Sequence, residues 1–102
     1  MAQWKRNPEE CSGEYFFSGR GVMTQGVAHA LAPEEIAGII ADLKRAVPQN
    51  DGLDYLQVYE CDDGRRIWAI DQLSRSMLAG DDYTDEQKVE FNYFTLLLPD
   101  EY

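Results

Sequence analysis

This sequence has few of the residues on which most enzyme chemistry runs. It holds one histidine, His29, and two cysteines, Cys11 and Cys61. The cysteines lie far apart and lack the paired spacing of a redox motif or a zinc site. A Ser-His-Asp or Cys-His mechanism would have to pass through His29, which sits between two alanines with no orienting partner in view, so no catalytic residue is expected. A disulfide between Cys11 and Cys61 stays open, because spacing alone does not give their separation. Long apolar runs are missing too. The stretch Leu96-Leu97-Leu98 is closed by Pro99, well short of the ~18 residues of a membrane span. Nothing before Trp4 resembles the apolar stretch of a signal peptide, so the expectation is a cytoplasmic protein with reduced thiols and no membrane partner.

Basic residues are also scarce, with 9 Lys+Arg against 19 Asp+Glu, which gives a formal net charge of −10 and a pI near 4.3. Such a field repels phosphate backbones and anionic lipid, so direct nucleic-acid binding is disfavoured and basic protein surfaces are favoured. The excess is uneven. Residues 1–79 carry 12 acids and 8 bases, a net −4, while residues 80–102 carry 7 acids and one base, a net −6. What is plentiful is apolar material. With 44% hydrophobic and 12% aromatic residues, a chain of this length can bury about 60–68% of its unfolded surface, enough for one core. We expect one domain over residues 1–102, with residues 1–13 as an irregular start whose Trp4 folds back onto the core.

The hydrophobic pattern predicts an α+β protein. Tyr15-Phe16-Phe17 and Val22 to Val27 read as a β-hairpin turned by Ser18-Gly19-Arg20-Gly21. Pro33, Glu34 and Glu35 start a helix whose apolar stripe is Ile36, Ile39, Ile40, Leu43 and Val47, and Pro48 with Asn50-Asp51-Gly52 stops it. Tyr55 to Cys61 alternates, Asp62-Asp63-Gly64 turns, and Arg66 to Ile70 returns as the partner strand. Ser74 to Leu78 reads as a helical turn, and Thr84 with Gln87 forms a capping box over Asp85 to Lys88. From Val89 to Leu98 the period becomes two, which predicts a last strand, with a helix as the rival reading. The order is ββ-α-ββ-β, a mainly antiparallel sheet packed against one main amphipathic helix.

Several stretches, VMTQGV, APEEI, DYLQVYE, IWAID and TLLLPDEY, occur in the order in which they stand in a group of short bacterial proteins, often plasmid or phage encoded, catalogued as domains of unknown function. The sequence resembles that group over residues 22–102. The telling positions are Met23-Thr24, Gly26-Val27, Asp71 after Trp68, and Glu101-Tyr102. Pro99-Asp100 departs from the small residues that many relatives place there. The resemblance implies a mobile-element context and an intracellular protein, and it implies no activity and no catalytic residues.

Candidate sites divide on chemistry. Asp81, Asp82, Asp85 and Glu86 fail as an EF-hand loop, because the sixth and twelfth positions hold Glu86 and Asn92 rather than Gly and Glu, so no metal is expected. Gly19-Arg20-Gly21 fits neither phosphate-loop pattern and reads as a hairpin turn whose glycines tolerate positive φ. No cofactor is implied. Asp71 reads as a cap on its following turn through Ser74 or a backbone amide. The favoured expectation is a non-enzymatic acidic interaction or inhibitor protein. Its partner-binding residues would be Asp81, Asp82, Asp85, Glu86 and Glu90, joined by Asp62 and Asp63, with Tyr83, Tyr93 and Tyr102 as anchors. The partner would be a basic surface, such as the nucleic-acid groove of a host defence complex of the restriction or CRISPR type. Mimicry of duplex needs the turn acids, the 81–90 acids and Asp100-Glu101 to converge, since ten charges imitate only about 17 Å of duplex. The alternatives are a small enzyme or ligand-binding domain with a pocket near Trp68, Asp71 and Tyr59, and a homodimer through a sheet edge or the last strand.

Overall fold

The computed structural model describes residues 4–6 and 13–101. Five strands, β1 (Trp4–Arg6), β2 (Arg20–Met23), β3 (Leu56–Cys61), β4 (Arg66–Asp71) and β5 (Tyr93–Leu97), form one sheet in the order β1-β3-β4-β5-β2. All neighbours are antiparallel except β2, which runs parallel to β5. The main helix, α2 (Pro33–Asn50), buries Ile36, Ile39, Leu43 and Ala46 in one core with Tyr59, Ile67, Ala69, Phe94 and Leu96 of the sheet. The α+β class and the strand order around the main helix are as expected. The β3–β4 hairpin turns at Asp62-Asp63-Gly64, with Gly64 at φ 96°.

The first hairpin does not form. Thr24 caps a short helix instead, α1 (Gln25–Ala30), by accepting a hydrogen bond from the Val27 amide, and this ends β2 at Met23. The capping geometry of Thr24 outweighs the β-propensity of Val22 and Val27. Tyr15 makes only a bridge to Leu53, and Phe17 turns into the left-handed region at φ 48°. Nor do Gly19 and Gly21 serve positive φ. Gly21 lets β2 lie close to β5, since a Cβ there would meet the Phe94 ring at 2.9 Å. Residues 4–6 form a strand, and Trp4 packs on the core; the rest of the segment 1–12 lies outside the described residues. Cys11, with the question of its pairing, and Tyr102 lie outside the described residues.

Two boundaries differ for local reasons. Helix α2 runs past Pro48, whose missing amide falls in the last turn, and ends on Asp51 at φ 51°. The capping box of Thr84 and Gln87 nucleates α4 (Asp85–Phe91), which takes Val89 and Phe91 out of the predicted strand, and β5 begins only at Tyr93. A preceding helix, α3 (Arg75–Ala79), is capped by Ser74. Strand β5 is flanked by β4 and β2 and has no open edge for a second copy; the outer strands are β1 and β2. No helix among the described residues is long and apolar enough to cross a membrane.

The sheet has two ends. At one lie the β3–β4 turn and the 3-10 turn Pro99–Glu101, because Leu97 pairs with Trp68 near the start of β4. At the other lie Asp71, Phe17 and the entry to β5 from α4, because Asp71 pairs with Phe94.

Candidate functional site

The acids of residues 81–90 occupy the second end. Thr84 and Gln87 exchange hydrogen bonds of 3.1 and 2.9 Å, and Asp85 and Glu86 in the first turn complement the helix dipole. Helix α4 nevertheless buries none of its residues. Val89 is 74% exposed, and Phe91, 39% exposed, meets Tyr83 edge to face at 6.2 Å. Arg20 ties the helix end down by donating to the Glu90 carbonyl at 3.1 Å, with its guanidinium over the Tyr93 ring. The cations explain why this segment stays negative. Among the described residues, the ion pairs join Arg6 and Arg45 to Asp42, Arg65 to Glu35 and Asp63, Arg66 to Glu60, and Arg75 to Asp51. None of these pairs involves Asp81, Asp82, Asp85, Glu86 or Glu90.

The other acids are elsewhere. Asp62 and Asp63 sit on the β3–β4 turn, and β4 separates that turn from the α4 end by about 17 Å at 3.3 Å per residue. Asp63 is bound to Arg65 at 2.8 Å, and hydrogen bonds from the Arg65 amide and the Cys61 thiol hold its carboxyl below the ordinary range. Glu101 accepts hydrogen bonds from Thr24 and from the Leu98 amide at the same end. The three acidic groups therefore do not converge. A patch of five charges corresponds to only about 8 Å of duplex axis, too short for an extended mimic.

Of the three residues expected around a pocket between helix and sheet, Tyr59 lines one, away from Trp68 and Asp71. Between α2 and the β1–β3 side of the sheet opens a cleft of about 420 Å3. Asp42 gathers Tyr59 Oη at 2.7 Å, Arg45 at 2.6 Å and Arg6 at 3.2 Å. Burial raises the pKa of Asp42, but these three donors outweigh it and hold the carboxyl below its ordinary value. Burial, reinforced by the Asp42 carboxylate, pushes the Tyr59 phenol far up. About two helical turns away on the same face, Glu35 accepts from the Ala32 amide, Trp4 Nε1 and Arg65, and its pKa falls for those reasons in that order. In sequence, Glu35 and Asp42 are seven apart on the polar face of α2, a weak sign of a shared stripe.

Asp71 is not held by Ser74; the amide of the next residue, Gln72, and a remote backbone amide face its carboxyl. Ser74 caps α3, while Asp71 Oδ2 accepts the Phe17 amide at 2.9 Å across the fold. Lys44 Nζ donates to the Phe17 carbonyl at 2.7 Å, so both polar groups of a left-handed, fully buried residue are held by side chains. Burial raises the Asp71 pKa to about 6, with the Phe17 amide, the Gln72 amide and the Lys44 charge limiting the rise. Phe17 and Phe94 pack against each other at 5.7 Å beside it. Trp68 and Asp71, three residues apart on β4, project to opposite faces of the sheet, so the pocket expected near both is not assembled. His29 is exposed on α1. No family model, curated protein or solved structure matches this chain, and its function is argued from its own residues.

Proposed function

We propose that this is a non-enzymatic interaction protein that docks the segment 81–91 onto a basic protein surface. The observation that carries the reading is a helix that buries nothing of its own, exposes Val89 and Phe91, and carries acids that form no ion pair among the described residues, Arg20 binding only a backbone carbonyl there and the other arginines being paired with acids elsewhere. Charge would steer the encounter, and the Tyr83–Phe91 pair with Val89 would supply the apolar contact that charge alone lacks. Asp62 and Asp63 fall outside this footprint. A cationic nucleic-acid groove on a defence complex of the restriction or CRISPR type remains the class of partner proposed, blocked locally by a short patch rather than filled by a duplex-like surface. That choice rests on the mobile-element context that the sequence resemblance implies.

The test is the triple reversal D81K, D82K and E90K, which leaves Thr84 and Gln87 of the capping box intact. Capture of partners from host lysate at about 50 mM salt should fall at least tenfold, and the wild-type interaction should weaken steeply as salt rises. A reversed variant that keeps its circular dichroism and captures the same partner equally well overturns the reading.

A further inference from the structure

We propose that the cleft between α2 and β3 is a binding site for a small carboxylate carrying a planar apolar ring. Its volume, about 420 Å3, lies in the range of natural ligand pockets. Three observations define what it would take. Gly38 lines it from the middle of α2, and a Cβ built there meets nothing within 4 Å. Glycine weakens a helix interior relative to alanine. Packing does not demand it here, and its effect is to leave open space above the helix backbone. Beside that space stand Ile39 and the half-buried Trp4, whose indole is held by its Nε1 bond to Glu35 and by the Arg65 guanidinium 5.3 Å from the ring. The apolar part of a ligand in this cleft would lie against the Trp4 indole, and a flat ring suits that face.

The polar end follows from counting donors and acceptors. Glu35 already accepts from Ala32, Trp4 and twice from Arg65. Asp42 accepts from Tyr59, Arg6 and Arg45. A carboxylate offers about four lone-pair positions, so the buried acids have little left for an incoming cation. Arg45 is the opposite case. It lines the cleft with a side chain 65% exposed, and one nitrogen donates to Asp42, so most of its five donors are not used by that carboxylate. A planar fork matches a carboxylate in bidentate fashion. A monoanion also suits the site better than a phosphate dianion, which would sit close to Asp42 and the exposed Glu34. The site is separate from the acidic α4 segment and does not depend on its role.

The probe is 3-phenylpropionate, with 3-phenylpropionamide as its neutral counterpart, titrated into the full-length protein while the Gly38 amide and the Trp4 indole N–H are followed by NMR. Both signals should shift along one saturating curve with the carboxylate, and the amide should bind about tenfold more weakly for want of the charge-assisted pair. G38L places a side chain in the open space; it should raise the melting temperature and abolish binding. R45Q should weaken the carboxylate at least fivefold and leave the amide unchanged. The proposal is overturned if neither signal saturates up to the solubility limit of the probe, if G38L binds as well as wild type, or if the amide binds as tightly as the acid.

Discussion

Between about pH 5 and about pH 8 this protein should lose more than ~1 kcal/mol of unfolding free energy through Asp71 alone. The carboxyl is raised from its ordinary 3.8 to about 6 by burial, a gap worth about 3 kcal/mol in total. Because the folded state holds the proton more tightly than the unfolded chain, the contribution is fully present below the unfolded value and disappears as pH rises through about 6. Roughly half of it falls above pH 5. The opposing groups act in a different window. Glu35, Asp42, Asp63 and Glu101 have lowered pKa values, so their stabilisation is complete above their unfolded values and is lost only as pH falls through the depressed ones. The test is D71N, whose amide oxygen can still accept the Phe17 amide without carrying a buried charge. Urea midpoints should decline with pH in wild type and stay level in D71N, with equal m values in both. At the alkaline end the variant should be the more stable protein, and at the acid end it should hold no advantage. A parallel decline in D71N would show that the slope comes from another group.

Why the clamp made by Asp71 was missed in sequence says where sequence reading runs out here. Its partner, Phe17, lies 54 residues away, and nothing local distinguishes a carboxylate that serves only its own turn from one that also clamps a remote backbone. The elements that were legible are those whose cause is local: the apolar stripe of α2, the glycine turn of β3–β4, the Ser74 and Thr84 caps. Where local signals competed, the nucleating one decided. The Thr24 and Thr84 caps each took a segment with β-type alternation and made it helical, because a satisfied first turn propagates while an alternating run needs a neighbouring strand in register. Strand β2 could not be paired correctly for the same reason: its partner is β5, parallel and some seventy residues on, and Gly21 signals a close neighbour without saying which.

The acidic segment was visible as a run of residues, and its separation from Asp62 and Asp63 was not. Charge counts carry no direction. The sheet supplies it, by sending β4 and β5 in opposite senses so that the turn acids and the helix acids finish at opposite ends. The cleft was hidden for a related reason. Trp4, Asp42, Tyr59 and Arg65 come from four separate segments, and only the pairing of Trp4 with Cys61 and Arg6 with Tyr59 brings β1 alongside α2.

That junction is also where one substitution should do the most damage. D42A removes the acceptor shared by three donors, of which Tyr59, 1% exposed, cannot retreat to water, and the Arg6 side chain, 16% exposed, loses its ion pair to α2. An orphaned buried hydroxyl and a half-desolvated guanidinium together should cost about 3 kcal/mol, the lower end for breaking a buried pair, since Asp42 itself is 29% exposed. Strand β1 should suffer first. It is three residues long and is tied to α2 through Arg6–Asp42 and Trp4–Glu35, so its loss of amide protection should exceed that of β3 and β4 in hydrogen exchange. Y59F separates the two parts of the argument. It deletes the donor while Asp42 keeps both arginines, and it should cost only about 1 kcal/mol. Equal losses in D42A and Y59F would mean that the tyrosine bond alone holds the junction and that the arginines contribute nothing there; a loss of about 3 kcal/mol in D42A against about 1 kcal/mol in Y59F, with β1 unprotected only in D42A, is the expected result.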